Sequence, residues 1–228
     1  MNTICKIADI DIYLLYFLEL KTIFVLSTIT RDENELISKQ DFFREIQLMR
    51  QEYKVNKTNI IDLASRYGYI SILEWMDKSV CKFMYDKAID FAASNGHIEI
   101  LEWFDKSSRR ENEIKYSILA IIYASANGHI EVLEWFDKSK YEFKYSVDAI
   151  NNACYNGHIE VLEWFDKSKY EFKYSESAIN YASLNKHVNI LEWFDKSKYE
   201  FKYSDWVIDS TIIRNNIDVI EWFEKSKY

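Results

Sequence analysis

Along most of the chain, apolar and polar positions follow two periods in turn. From Val147 onward, small and apolar groups at Ala149, Ile150 and Ala153 return at the spacing of one helix stripe. Ser146 stands just before them, with a hydroxyl suited to accept from the amides that a first helical turn leaves unpaired. The stripe stops at Asn156-Gly157, and glycine takes the left-handed backbone that ends a helix without a Cβ penalty. A second stripe starts at once, with Ile159, Val161, Leu162, Trp164 and Phe165 on a broad apolar face and Glu160, Glu163 and Asp166 facing outward. Acids near its start and Lys167 and Lys169 at and beyond its end suit the helix dipole. From Lys169 to Ser175, Tyr170, Phe172 and Tyr174 alternate with charged residues, the period of an extended strand with one aromatic edge. The pattern predicts a short helix, a glycine turn, a second short helix and an extended connector.

This unit repeats. The tetrapeptide Glu-Trp-aromatic/Met-acid occurs six times, at Trp75, Trp103, Trp135, Trp164, Trp193 and Trp222, with spacings of 28, 32, 29, 29 and 29 residues. Only Trp206 lies off that place, while Gly68, Gly96, Gly128 and Gly157, and His97, His129, His158 and His187, each hold one place in the unit. The repeats run from about Asn56 to Tyr228, and residues 1–55 lack the signature. Helices of about nine residues are too short to be stable alone in water, so neighbouring units must supply the stability. The expected fold is all-α: a solenoid of about six stacked helix-turn-helix units after an N-terminal helical cap, each second-helix Trp and Phe shielded by the next pair.

The string Asn-Gly-His-Ile-Glu-Val-Leu-Glu-Trp-Phe at 156–165, preceded by Ala153, resembles the second half of the ankyrin repeat, and it recurs at 95–104 and 127–136 with the same offsets. The resemblance covers about three quarters of the chain. It implies an ankyrin-type solenoid that binds other proteins through its inner helices and loop tips. The family's Thr-Pro-Leu-His tetrapeptide is replaced by Asp148-Ala149-Ile150-Asn151 and Lys87-Ala88-Ile89-Asp90. The unit is 29 residues where the family uses about 33, so a full β-hairpin finger is not expected. The short unit ending in Glu-Trp-Phe and the Ile/Asn/Lys/Tyr-rich composition are similar to ankyrin-repeat proteins of giant DNA viruses.

Composition narrows the partners. With 37 acidic and 29 basic side chains among 228 residues the net charge is −8, the wrong sign for neutralising phosphates, so neither nucleic acid nor an anionic membrane is expected. The apolar stretch Ile10–Thr30 is interrupted by Asp11, Glu19 and Lys21, leaving a longest uncharged run of nine residues against the about 18 that a membrane helix needs. The acidic start at Asp9 and Asp11 is unlike a secretory leader. Three widely separated cysteines, Cys5, Cys81 and Cys154, suggest no disulfide framework and fit an intracellular, cytoplasmic setting, the host cell's if the protein is viral.

Candidate chemistry is sparse. Equivalent histidines in stacked units sit roughly 8–10 Å apart, too far to share one zinc held at about 2.0–2.1 Å, so each is expected to bond backbone at the start of its second helix. Cys154 takes a place filled by Ala93, Ser125 and Ser183 and reads as a small packed residue. Glu102, Glu134, Glu163 and Glu192 recur on every second helix where a solvated face is expected, and no phosphate-cradling glycine loop, nucleophile elbow or Cys-x-x-Cys pair occurs. No enzyme, cofactor or metal is expected. The positions that differ between repeats, on the first helix and the turn before it, are the candidate partner-binding residues: Tyr123, Asp148, Asn152, Tyr155, Glu176, Tyr181, Asp205 and Trp206, with Ile118, Leu119, Ile122, Val147, Ser177, Leu184, Asp209 and Ile213 beside them.

Two irregularities and the N-terminal segment complete the reading. Between Ser107 and Ser117 the connector is longer and carries Arg109-Arg110, which predicts a bulge cut first by trypsin. Lys186 and Asn216 are read as substitutes for the turn glycine in the fifth and sixth units, making the C-terminal end the looser one. Residues 7–31 resemble the F-box core without its opening Leu-Pro. That resemblance implies docking of a cullin-type ubiquitin-ligase adaptor, with the repeats recruiting a substrate. The other reading is that Leu14, Leu15, Phe17, Leu18, Ile23, Phe24 and Leu26 cap the solenoid.

Overall fold

The computed structural model describes residues 60–77, 87–106 and 116–228. The readings for residues 1–55, for Cys81 and for the bulge at Arg109-Arg110 fall outside the described residues. Among the described residues every regular element is an α-helix, and none is long and apolar enough to cross a membrane. The helices come in pairs: α1 (Ile60–Tyr67) and α2 (Ile70–Asp77), α3 (Ala88–Ser94) and α4 (Ile98–Lys106), α5 (Leu119–Ala126) and α6 (Ile130–Lys138), α7 (Val147–Asn156) and α8 (Ile159–Lys167), α9 (Glu176–Leu184) and α10 (Val188–Lys196), α11 (Trp206–Ile213) and α12 (Ile217–Lys225). Each first helix packs on the first helices of the neighbouring pairs, and second helices meet one another more sparsely.

The predicted ends of the helices hold. The Ser146 hydroxyl accepts from the Asp148 amide, and Ser175 does the same for Ser177. Gly157 closes α7 in the left-handed region at φ +84°. The connectors between pairs run as non-helical chain, and among the described residues no strand forms.

The close approach of first helices follows from alanine pairs at one repeat place: Ala88 and Ala92, Ala120 and Ala124, Ala149 and Ala153, Ala178 and Ala182, all fully buried. In α11 the equivalent residues are Val207 and Thr211, whose added bulk holds this helix off its neighbour; α9 and α11 share fewer contacts than the pairs before them. The C-terminal pair is therefore the loosest packed of the described ones. On the second helices, Phe104, Phe136, Phe165 and Phe194 are fully buried, whereas Trp103, Trp135, Trp164 and Trp193 are only partly so. The expected shielding of the indoles is thus corrected in part. Phenylalanine fills the core, and Trp164, Trp193 and Trp222 stack on connector rings, as in Trp164 on Phe143 at 5.5 Å with Phe143 stacked in turn on Tyr170 at 4.0 Å.

Polar clamps join the pairs where the sequence reading saw only a replaced tetrapeptide. Asn151 accepts from the Ser175 amide at 3.1 Å and donates to its hydroxyl at 2.9 Å. Asn180 holds Ser204 in the same way, and Asp90 takes both the amide and the hydroxyl of Ser117. Each clamp satisfies a buried side chain and fixes where the next first helix begins. Ile122 interrupts the series, and Ser146 then donates to Asp148 instead.

The turn glycines answer to the following repeat as well as to their own backbone. A Cβ on Gly68, Gly96, Gly128 or Gly157 would lie 2.6–2.8 Å from the ring of His97, His129, His158 or His187 in the next pair. Lys186 adopts φ +65° at this place, and the residue facing it from the next pair is Asn216 rather than histidine. The reading of Asn216 as a glycine substitute is corrected: the left-handed residue is Asn215 at φ +54°, while Asn216 stands at the histidine place and donates to the Ser183 and Leu184 carbonyls. A lysine is accommodated where the ring is missing. Lys186→Gly is therefore expected to raise stability by about 1 kcal/mol in urea unfolding. Asn216→His is expected to destabilise the native chain while costing little in the Lys186→Gly background, a coupling that a double-mutant cycle reads directly.

Candidate functional site

Four places in each repeat make one stripe on the first helix. They are Ile118, Leu119, Tyr123 and Ala126 on α5 and its N-cap; Val147, Asp148, Asn152 and Tyr155 on α7; Glu176, Ser177, Tyr181 and Leu184 on α9; and Asp205, Trp206, Ser210 and Ile213 on α11 and its N-cap. Offsets of 0, 1, 5 and 8 residues at 100° each fall within about 140° of the helix circumference, so these side chains share one face. All eight candidate residues stand on it. Trp206 is 50% exposed, Tyr155 49%, Tyr123 44% and Tyr181 36%; Asp148, Glu176 and Asp205 are exposed and Asn152 is half-buried.

The structure brings two of the aromatic candidates together. Tyr155 and Tyr181, on adjacent first helices, meet edge to face with ring centroids 5.5 Å apart. Asp148 also accepts from the Ser146 hydroxyl at 2.9 Å, so it serves the cap of α7 as well as the surface. Ile122 does not belong to the face. It is 5% exposed, because its place in the repeat is the clamp position held elsewhere by Asp90, Asn151 and Asn180, which turns toward the following unit. Exposed apolar residues not singled out from the sequence are Tyr67 on α1 and, in the α11–α12 pair, Ile212 and Ile217. The broken alanine pattern at Val207 and Thr211 is the signal that could have pointed to the last two.

Three of the histidines bind backbone, in the preceding pair rather than their own helix, while His158 Nδ1 lies 3.0 Å from the Glu160 carboxylate. His97 Nε2 lies 3.0 Å from the Arg66 carbonyl, His187 Nε2 lies 3.1 Å from the Tyr155 carbonyl, and His129 bonds Ser94 backbone. Burial pushes His129 below the usual histidine range and the Cys154 thiol well above its ordinary value. Among the described residues no three or more His, Cys, Asp or Glu side chains gather as a metal would require. Glu102, Glu134, Glu163 and Glu192 are each exposed and paired with the lysine four residues on.

The densest cluster of ionisable groups lies in the connectors. Asp166 receives Lys198 at 2.8 Å and the Tyr199 hydroxyl at 2.9 Å, and Asp137 receives Lys169 and Tyr170 in the same manner. These bonds hold both carboxyls below the ordinary range. Tyr145 and Tyr174 donate to the Glu171 and Glu200 carbonyls of the next connector, and Tyr116 to that of Glu142. The arrangement fastens successive connectors to one another.

No protein-family model matches the chain, and no curated protein matches it either.

Desolvation of Tyr116, Tyr145, Tyr170, Tyr174 and Tyr199 raises their hydroxyls, that of Tyr116 to about 12. A hydroxyl raised on folding contributes fully below its unfolded value near 10 and loses that contribution as pH climbs toward the folded value. Stability is expected to fall steeply above about pH 10, with phenolate absorbance rising together with the loss of helical circular dichroism. At neutral pH, Trp206→Phe is expected to remove the indole most accessible to acrylamide, lowering the quenching constant more than Trp164→Phe does.

Proposed function

We propose that the chain is an ankyrin-type solenoid acting as a non-enzymatic, intracellular scaffold that binds a protein partner on the face formed by its first helices. The single observation that carries this reading is a division of labour among repeat places. Core places, and the connectors after α6, α8 and α10, hold nearly the same residue from unit to unit, whereas the first-helix stripe changes in every unit and is exposed or half-buried. Stacking requires the former, and nothing in the stacking requires Tyr123 or Trp206 to be aromatic, while Tyr155 and Tyr181, which touch edge to face across two units, still leave much of their rings open to water. Aromatic residues placed this way supply large rigid contact area, which is what interface anchors need.

The packing supports the same face. First helices contact one another more extensively than second helices do, as a solenoid concave on its first-helix side requires. A partner lying in it touches several repeats at once. Tyr155→Ala, Tyr181→Ala and Trp206→Ala combined are expected to abolish capture of a specific partner from cell extract while leaving the far-ultraviolet circular dichroism unchanged. Capture undiminished by the triple substitution would place the partner elsewhere on the molecule.

A further inference from the structure

Charge is sorted between the two helices of each pair. No first helix from α3 to α11 contains a lysine or arginine. The lysines of the second helices and connectors are mostly engaged: those on α4, α6, α8, α10 and α12 pair with a glutamate one turn earlier, Lys140, Lys169, Lys198 and Lys227 reach an aspartate of the preceding unit, and Lys144, Lys173 and Lys202 pair with a glutamate in their own connector. On the stripe the reverse holds. Asp148, Glu176 and Asp205 are exposed, and among the described residues none of them is in an ion pair. They stand beside Tyr155, Tyr181 and Trp206, on three successive first helices.

From this, resting on the docking face proposed above, we infer that the partner presents a basic polypeptide segment, with lysine or arginine side chains set about three residues apart in extended chain. The spacing follows from geometry. Successive first helices lie roughly 8–10 Å apart, and extended chain advances about 3.3 Å per residue, so every third residue meets a new repeat. A guanidinium there pairs with a carboxylate of the stripe and lies over the neighbouring aromatic face, two attractions that the same cation satisfies together. Uncompensated like charges also repel acidic partners, so the face selects as well as attracts. Phosphate-bearing ligands carry the wrong sign for it. Basic side chains near its ends are Arg66 in the last turn of α1, Lys87 at the N-cap of α3, and Lys186 and Arg214 in the turns after α9 and α11.

The test selects a displayed library of random peptides of about twelve residues, long enough to cross the stripe, against the full chain. Enriched sequences are expected to carry net positive charge with arginine or lysine at intervals of about three residues. Binding of a synthetic version, read by fluorescence anisotropy, is expected to weaken about fivefold in the chain bearing Asp148→Asn, Glu176→Gln and Asp205→Asn, exposed substitutions that preserve shape, and to weaken as salt rises. Enriched peptides that are neutral or acidic, yet lose binding with Tyr155→Ala and Tyr181→Ala, overturn the basic segment and leave the docking face standing. Peptides insensitive to both sets of substitutions overturn the docking face itself. A selection that enriches nothing overturns the basic segment as a ligand.

Discussion

Everything in this protein depends on the contact between one helix pair and the next, because a helix of seven to ten residues cannot hold its shape in water by itself. The fully buried alanine pairs of the first helices make that contact close, and Phe104, Phe136, Phe165 and Phe194 fill the space on the second-helix side. Burying such a phenylalanine is worth about 3–5 kcal/mol against alanine, far more than the exposed lysine–glutamate pairs, which contribute at most about 1 kcal/mol each. Stability is consequently a property of interfaces repeated along the chain, and it declines where α11 places Val207 and Thr211 at the alanine positions.

Polar chemistry then sets direction and spacing. The Asn151–Ser175 and Asn180–Ser204 clamps couple the middle of one first helix to the start of the next, so that the cap of a helix is positioned by the unit before it. The histidines act in the opposite sense: each occupies the space above the preceding glycine, and His97, His129 and His187 reach back to backbone of the preceding pair. Tyrosines and aspartates fasten the connectors. Groups whose residue types suggest catalysis or metal binding are in this way consumed by assembly. What assembly does not consume is the first-helix stripe, with its unpaired carboxylates and half-open rings, and function is proposed there for that reason.

How much of this was legible in the sequence depends on whether the signal is local. The Ser146 cap, the two helices of the unit at 147–175, the left-handed Gly157 and the outward glutamates follow from residues within one turn of each other, and all were readable because helix periodicity and backbone sterics act over that distance. The candidate surface was readable for a related reason: comparison of repeats separates positions that vary from positions that do not, and eight of eight candidates lie on one stripe. Ile122 failed the same comparison because variation there reflects a broken clamp, which is a contact 24 residues away in the intact units.

Tertiary structure alone decided the rest. It showed that glycine is demanded by the histidine of the following unit, that Lys186 is accommodated because Asn216 has no ring, and that the buried aromatic is phenylalanine while the indole stacks against connectors. It also set the lysines against the carboxylates outside the stripe and, among the described residues, left the stripe's own carboxylates without a basic partner. The sequence by itself determined the helices, their ends and their repetition, since these rest on short-range sterics and periodicity. Which residues face each other across units was fixed only when the pairs packed, since that depends on distances no spacing along the chain encodes.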